Sequence, residues 1–247
     1  MSIHSAEELA HLRAIGSIVA QTLQKMAAAV RAGISTGELD EVARREFEMQ
    51  GAQSSPVAVY NFPGTTCISV NSQVVHGIPG RTVLRPGDLV KLDVTAQKDG
   101  YVADAAVTVA VEPAAVTSKR LADCARSAFQ KALGAARAGN RVSAIGRAVE
   151  REVKDCGFEV LRQWCGHGVG RSIHEAPTVP NYYDPNDREV LTEGLVITIE
   201  PIITAGRDTS YVADDGWTVI TGDGALAAHH EHTIVITKGE PIVLTAA

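Results

Sequence analysis

Asp93 and Asp104 lie eleven residues apart in LVKLDVTAQKDGYVADAAVTV. Residues 89–97 and 101–111 alternate and are rich in Val, the pattern of two strands. Asp99-Gly100 between them is the favoured two-residue hairpin loop. That loop sets residue 98 opposite 101, 95 opposite 104 and 93 opposite 106. Asp104 then becomes the diagonal neighbour of Asp93 on one sheet face, roughly 7–8 Å away at the backbone. Two carboxylates held this way repel unless a cation lies between them or water solvates both.

Three further segments carry groups of the same kind. CGHGVGRSIH (165–174) places His167 and His174 in a loop whose glycines let a backbone approach a ligand closely. In LVITIEP (195–201), Leu195, Ile197 and Ile199 point one way and Glu200 the other. HEHTIVI (230–236) opens another strand with Glu231. A single acidic residue at a strand end is ordinarily solvated. Four on strands otherwise built from Val, Ile and Leu are different, because burying an unpaired charge costs several kcal/mol. The lysines and arginines fall mostly in helices and loops, so a metal is the economical counter-charge. Oxygen-rich ligation with one imidazole suits a divalent first-row ion better than a structural zinc site. Five ligands exceed the need of one tetrahedral ion with an open position. They suit two ions roughly 3.5–4 Å apart, bridged by carboxylates.

Composition narrows the class. A chain of 247 residues with 45% hydrophobic content buries a sizeable core. A net charge of −6 argues against a nucleic-acid surface. No run of 18 apolar residues points to a membrane span, and the N-terminal residues do not read as a secretory signal. Cys67, Cys124, Cys156 and Cys165 are widely spaced, without a CxxC pair, which fits a reducing cytoplasm.

The elements that must hold the site read as follows. Residues 6–31 form a long helix, and Ser35-Thr36-Gly37-Glu38 caps a second running to about Gln50. Residues 57–62 and 66–71 read as strands around a Pro63-Gly64 turn. Helical spacing returns at 118–138 and 142–156. RAGISTGELDEVARREFE (31–48) aligns with RAGNRVSAIGRAVEREVK (137–154) at an offset of 106. Two similar halves, about 5–111 and 112–240, would pack around a shared sheet in a single catalytic domain, 1–247, with the site between them. The competing explanation is chance likeness between two amphipathic helices.

NSQVVHGIP (71–79), LDVTAQKDGYVAD (92–104), CGHGVGRSIHEAP (165–177), TIEP (198–201), DDGWTV (214–219) and EHTIVIT (231–237) together resemble the type I methionine aminopeptidases, in their short bacterial form. The resemblance spans about residues 5–240. It implies the α+β pita-bread (creatinase-like) fold of M24 metallopeptidases, a central curved antiparallel sheet covered by helices. It implies a hydrolase that removes the initiator methionine from nascent proteins, through a hydroxide bridging two divalent ions (Co, Mn, Fe or Zn). By the same resemblance Asp93 chelates one ion, Asp104 and Glu231 bridge both, and His167 and Glu200 hold the other. Glu200 also takes the water's proton. His76 and His174 contact substrate outside the metal shell. Phe62, Cys67 and Trp217 line the methionine pocket, with Ile173 beside it. The expected partner is the N-terminal methionine of nascent polypeptides, met by a cytoplasmic monomer in transient contact with the ribosome, with no membrane or specific nucleic acid.

The chain departs from the family pattern at three places. Ala105-Ala106 follows Asp104 where a hydroxyl residue is usual, removing a hydrogen bond to the carboxylates. Ile173 replaces an aromatic, and His230 precedes Glu231 where Tyr is common. The run His229, His230, His232 reads as a strand start facing water rather than a third metal site. Two rivals stand beside the enzyme reading. A prolidase or Xaa-Pro aminopeptidase would carry a large extra N-terminal domain. A catalytically silent binding paralogue would have lost ligands or gained basic insertions.

Overall fold

Ser5 starts the first helix by accepting the Glu8 N–H on its side chain at 3.1 Å. Ser35 starts the second with a reciprocal capping box to Glu38. Gly51 ends it in the left-handed region, φ 62°. The computed structural model describes residues 1–246. In chain order they form α1 (Ala6–Ala29), α2 (Thr36–Gln50), β1 (Gln53–Ser54), α3 (Ser55–Tyr60), β2 (Cys67–Val70), β3 (Leu89–Lys98) and β4 (Tyr101–Ala110). Then come α4 (Val116–Ala135), α5 (Val142–Asp155), β5 (Glu159–Val160), β6 (Cys165–Gly168), β7 (Glu175–Pro180) and β8 (Val196–Ile199). The chain continues through β9 (Ile202–Thr204), β10 (Ser210–Val212), β11 (Val219–Thr221), β12 (Ala227–His229), β13 (Glu231–Val235) and β14 (Ile242–Val243).

The main sheet runs β1-β3-β4-β13-β8-β6-β7, with β2 on β3 and β14 on β13. Its pairings are antiparallel. The β3–β4 hairpin has the expected register, with Lys98 opposite Tyr101, Thr95 opposite Asp104 and Asp93 opposite Ala106. Asp99 and Gly100 both have positive φ, 51° and 77°, as a twist-matched two-residue turn requires.

Register sorts the two faces. Val94, Ala105, His232 and Ile199 form one cross-strand row. Helices cover that face. Leu12, Leu39 and Phe47 share a core with Leu92, Val94 and Ala105. Phe129 and Ile145 share a second core with Ile197, Ile199 and Ile234. Asp93, Ala106 and Glu231 form the neighbouring row, which points to the opposite face. Helices packed on one side of an antiparallel sheet make the chain α+β.

The helix pairs make matching backbone bonds. Thr36 N–H donates to Thr82 at 2.9 Å, and Val142 N–H to Glu189 at 3.0 Å. Gly33 N–H donates to the Leu84 carbonyl and Leu84 N–H to that of Ile34, as Gly139 donates to Leu191 and Leu191 to Asn140. Thr36 and Val142 are 106 residues apart, as are Gly33 and Gly139, the offset seen in the sequence; Leu84 and Leu191 are 107 apart.

One expected strand is absent. Residues 55–60 form a helix, so the strand read at 57–62 is corrected; only β2, at 67–70, forms after the turn. Ser54 accepts the Val57 N–H, Pro56 sits in the first turn, and Asn61 closes the helix at φ 55°. The alternation in VAVYNF mimics a strand, but the caps on either side select a helix.

Candidate metal centre

A cavity of about 320 Å³ opens on the sheet face opposite α1, α2, α4 and α5, with α3 at its edge. The five carboxylate and imidazole candidates Asp93, Asp104, His167, Glu200 and Glu231 all line it. So do His76, His174, Phe62, Cys67, Ile173 and Trp217. Sequence reasoning therefore picked residues from β2, β3, β4, β6 and β13 and five loops that converge on one space.

Each acidic group is positioned by its backbone. Asp104 N–H donates to Thr233 Oγ1 at 2.9 Å, and Thr233 returns its hydroxyl to the Asp104 carbonyl at 2.8 Å. The buried Asn181 amide donates to the Glu200 carbonyl at 2.8 Å and to that of Trp164 at 3.2 Å. Thr198 accepts the His167 N–H at 3.0 Å and donates to Glu200 Oε1 at 2.8 Å. The glycines flanking His167 serve the sheet rather than a ligand. A Cβ on Gly166 would lie 2.6 Å from the Thr198 carbonyl oxygen, and one on Gly168 2.1 Å from that of Ala176. Only glycine lets β6 pass this close to its neighbours.

Asp104, Glu200 and Glu231 are buried, and Asp93 partly so. Burial pushes Asp93, Glu200 and Glu231 well above the carboxylate range, and the Asp104 charge raises each further. Burial takes Asp104 up to about 7, tempered by the Thr95 hydroxyl. Burial holds His167 down at about 4. Asp104 Oδ1, Glu231 Oε1 and both ring nitrogens of His229 are buried with no hydrogen-bond partner. Ligand atoms lie within 4.8 Å of one another in two groups, Asp104–His167–Glu231 and Glu200–His229–Glu231. Asp93 lines the cavity but belongs to neither group. Crowded, unpartnered oxygen and nitrogen donors of this kind fit divalent cations.

The other end of the cavity is apolar. Phe62 and Trp217 meet edge to face at 5.2 Å, next to the buried Cys67. His76 is held at φ 57°, a sparsely populated conformation for a non-glycine residue, and its ring meets Trp164 at 5.6 Å. His174 is exposed at the cavity, and Tyr60 Oη lies 2.7 Å from its Nδ1.

The histidine run does not face water, and that expectation is corrected. His229 is 2% exposed and lines the cavity. His230 and His232 pack on Phe129 from the helix side, at 5.5 and 4.9 Å. Alternation held part of the signal, since residues 229 and 231 are two apart, although residue 230 separates β12 from β13. Tyr60, Thr95 and Trp164 also line the cavity and were not singled out from the sequence.

The model of metallopeptidase family M24 matches residues 10–238. The chain belongs to family M24. Within it, the chain is 44% identical to methionine aminopeptidase 2 of Bacillus subtilis (strain 168), over 99% of both chains. The solved methionine aminopeptidase of Thermotoga maritima superposes with a TM-score of 0.97 at 33% identity, covering 100% of each chain. The M24 pita-bread fold is therefore the fold of this chain. Prolidase from Pyrococcus furiosus shares that fold with a TM-score of 0.79 at 24% identity. Here 99% of this chain covers only 65% of the prolidase, as expected of a rival with additional chain.

Proposed function

We propose that this metallopeptidase is a methionyl aminopeptidase that removes the initiator methionine from nascent polypeptides. The observation that carries this reading is one cavity with a carboxylate-and-imidazole cluster at one end and Phe62, Cys67 and Trp217 at the other. Asp93, Asp104, His167, Glu200 and Glu231 would hold two divalent ions, with Asp104 and Glu231 shared. Bound ions supply hydroxide near neutral pH, by lowering the pKa of water from about 15.7 toward 7, and polarise the scissile carbonyl.

The protein groups do the rest. Phe62, Cys67, Ile173 and Trp217 take up the methionine side chain and exclude water from it. Glu200 accepts the proton of the attacking water, and the Thr198 hydroxyl donates to its Oε1 and holds the carboxylate in place. His174 donates to the oxygen that gains charge. A Tyr60 hydroxyl donated to Nδ1 of His174 would keep the proton on Nε2 for that task. His76, held neutral by burial with a pKa of about 4, donates an N–H to the departing amide nitrogen.

The same reading makes residues 1–247 a single catalytic domain and a cytoplasmic monomer, in transient contact with the ribosome. Release of methionine from Met-Ala-Ser in the presence of Co(II) or Mn(II), and none from chelated protein, is the expected result. No release with any divalent ion overturns the assignment. Glu200→Gln with metal bound and full turnover would remove Glu200 as the base.

A further inference from the structure

We propose that His229 is a sixth ligand, so that each of the two ions has its own imidazole, His167 for one and His229 for the other. The inference rests on the metal-centre reading above and concerns a residue outside the five ligands that the family resemblance implies. His229 ends β12, and its side chain is 2% exposed. Its Nε2 lies 3.5 Å from Glu231 Oε2 and 3.7 Å from Glu200 Oε2. Neither ring nitrogen has a hydrogen-bond partner. These separations are too long for good hydrogen bonds. They are close to the roughly 3.4 Å expected between two donors bound to one ion at about 2.1 Å and tetrahedral angles. His167 Nε2 stands in the same relation to the other oxygen of Glu200, at 3.5 Å from Oε1, so Glu200 would serve both ions rather than only the one the family resemblance gives it.

The two donor groups divide in the same way. Asp104–His167–Glu231 and Glu200–His229–Glu231 each contain one imidazole and share Glu231. An orphaned buried imidazole is costly, and an ion at the second group would remove that cost. The position is also placed for it: β12 pairs with β9, with His229 opposite Ile202. Its backbone is pinned to β4, where Thr108 Oγ1 accepts the His229 N–H at 2.8 Å and donates to its carbonyl at 2.7 Å. An imidazole in place of an all-oxygen set shifts that ion's preference toward cobalt or zinc and away from manganese or magnesium.

The test uses the full chain loaded with Co(II) and reads metal ligation rather than turnover. Proton NMR counts hyperfine-shifted, solvent-exchangeable imidazole N–H signals. Two are expected from the unaltered protein, one from H229Q and one from H167Q. Calorimetry should show one of two ions bound roughly 10–100-fold more weakly by H229Q. A single shifted imidazole signal in the unaltered protein, or two ions bound by H229Q with unchanged affinity, overturns the proposal. Should H229Q fail to fold, the count in the unaltered protein decides alone. Two imidazole signals without methionine release would support His229 as ligand while sinking the peptidase reading.

Discussion

Thr198 ties His167 to Glu200, accepting the backbone N–H of the first and donating its hydroxyl to Oε1 of the second at 2.8 Å. It is fully buried on β8. Replacement by Val keeps the shape and deletes both bonds. Outer partners of this kind alter metal affinity by roughly 10–100-fold. Thr198→Val is expected to bind metal more weakly within that range, measured by calorimetry on protein with an unchanged circular dichroism spectrum. Equal affinity would show that Thr198 only fills space.

The pKa shifts set a pH dependence for protein stripped of metal. Asp104 is raised to about 7, so its favourable contribution is complete below the unfolded value of 3.8 and is lost as pH rises through 7. Asp93, Glu200 and Glu231 shift the same way through burial. His76 and His167, lowered to about 4, and His229, lowered to about 3, act oppositely below the unfolded value of 6.5. Above about pH 6.5 those histidines are neutral in both states, and only the carboxylates remain. Chelated protein should therefore lose stability as pH rises from 6.5 through 7, at about 1.4 kcal/mol per pH unit for each proton retained by the folded state. Metal-loaded protein should show no such slope in thermal melts. A flat profile for the chelated protein would contradict the shifts.

Cys67 stands opposite Asp93 across β2 and β3 and is 7% exposed. Burial, then the Asp93 and Asp104 charges, pushes its thiol well above 9. The thiolate is the reactive form. Inactivation by iodoacetamide at pH 7.5 should thus be at least ~10-fold slower than reaction of an unperturbed thiol, because the thiolate fraction falls tenfold per unit of pKa. Kinetics of inactivation with and without a methionine-bearing peptide, repeated on Cys67→Ala, check this. Rapid loss at pH 7.5 that Cys67→Ala abolishes would show an accessible thiolate.

Ala106 and Ala105 are separable by the register. Ala106 lies between Asp93 and Glu231 in the cavity row, whereas Ala105 joins the helix-side core. A hydroxyl at 106 can reach carboxylate oxygens, and Glu231 Oε1 has no partner. Ala106→Ser should tighten metal binding by up to about 10-fold. Ala105→Ser should leave metal binding alone and destabilise the fold by about 1–3 kcal/mol, the cost of an unpaired buried hydroxyl. Calorimetry and denaturant melts separate the two. An effect of Ala105→Ser on metal affinity would break the face assignment.

Much of the site was legible because strands have a period of two. Asp99-Gly100 fixed one hairpin, and from it followed the face of Asp93 and Asp104. The same parity placed Glu200 opposite Ile199. His229 was missed because three histidines within four residues look alike until a neighbour's face is used to sort them. The helix at 55–60 was missed because Ser54 and Asn61 act through caps, and a six-residue helix is too short to show its own period. No local pattern reports that Thr198 would bond both His167 and Glu200, since β6 and β8 meet only through tertiary pairing.

β13 is among the last strands made and yet sits mid-sheet, between β4 and β8. It carries Glu231 and, through Thr233, clasps Asp104 across 129 residues of sequence. During synthesis the first 230 residues therefore leave a gap where two sheet halves should join. A contact so distant in sequence closes late and slowly. A growing chain of this protein therefore has no assembled donor cluster until Glu231 and Thr233 have emerged to join β4 to β8.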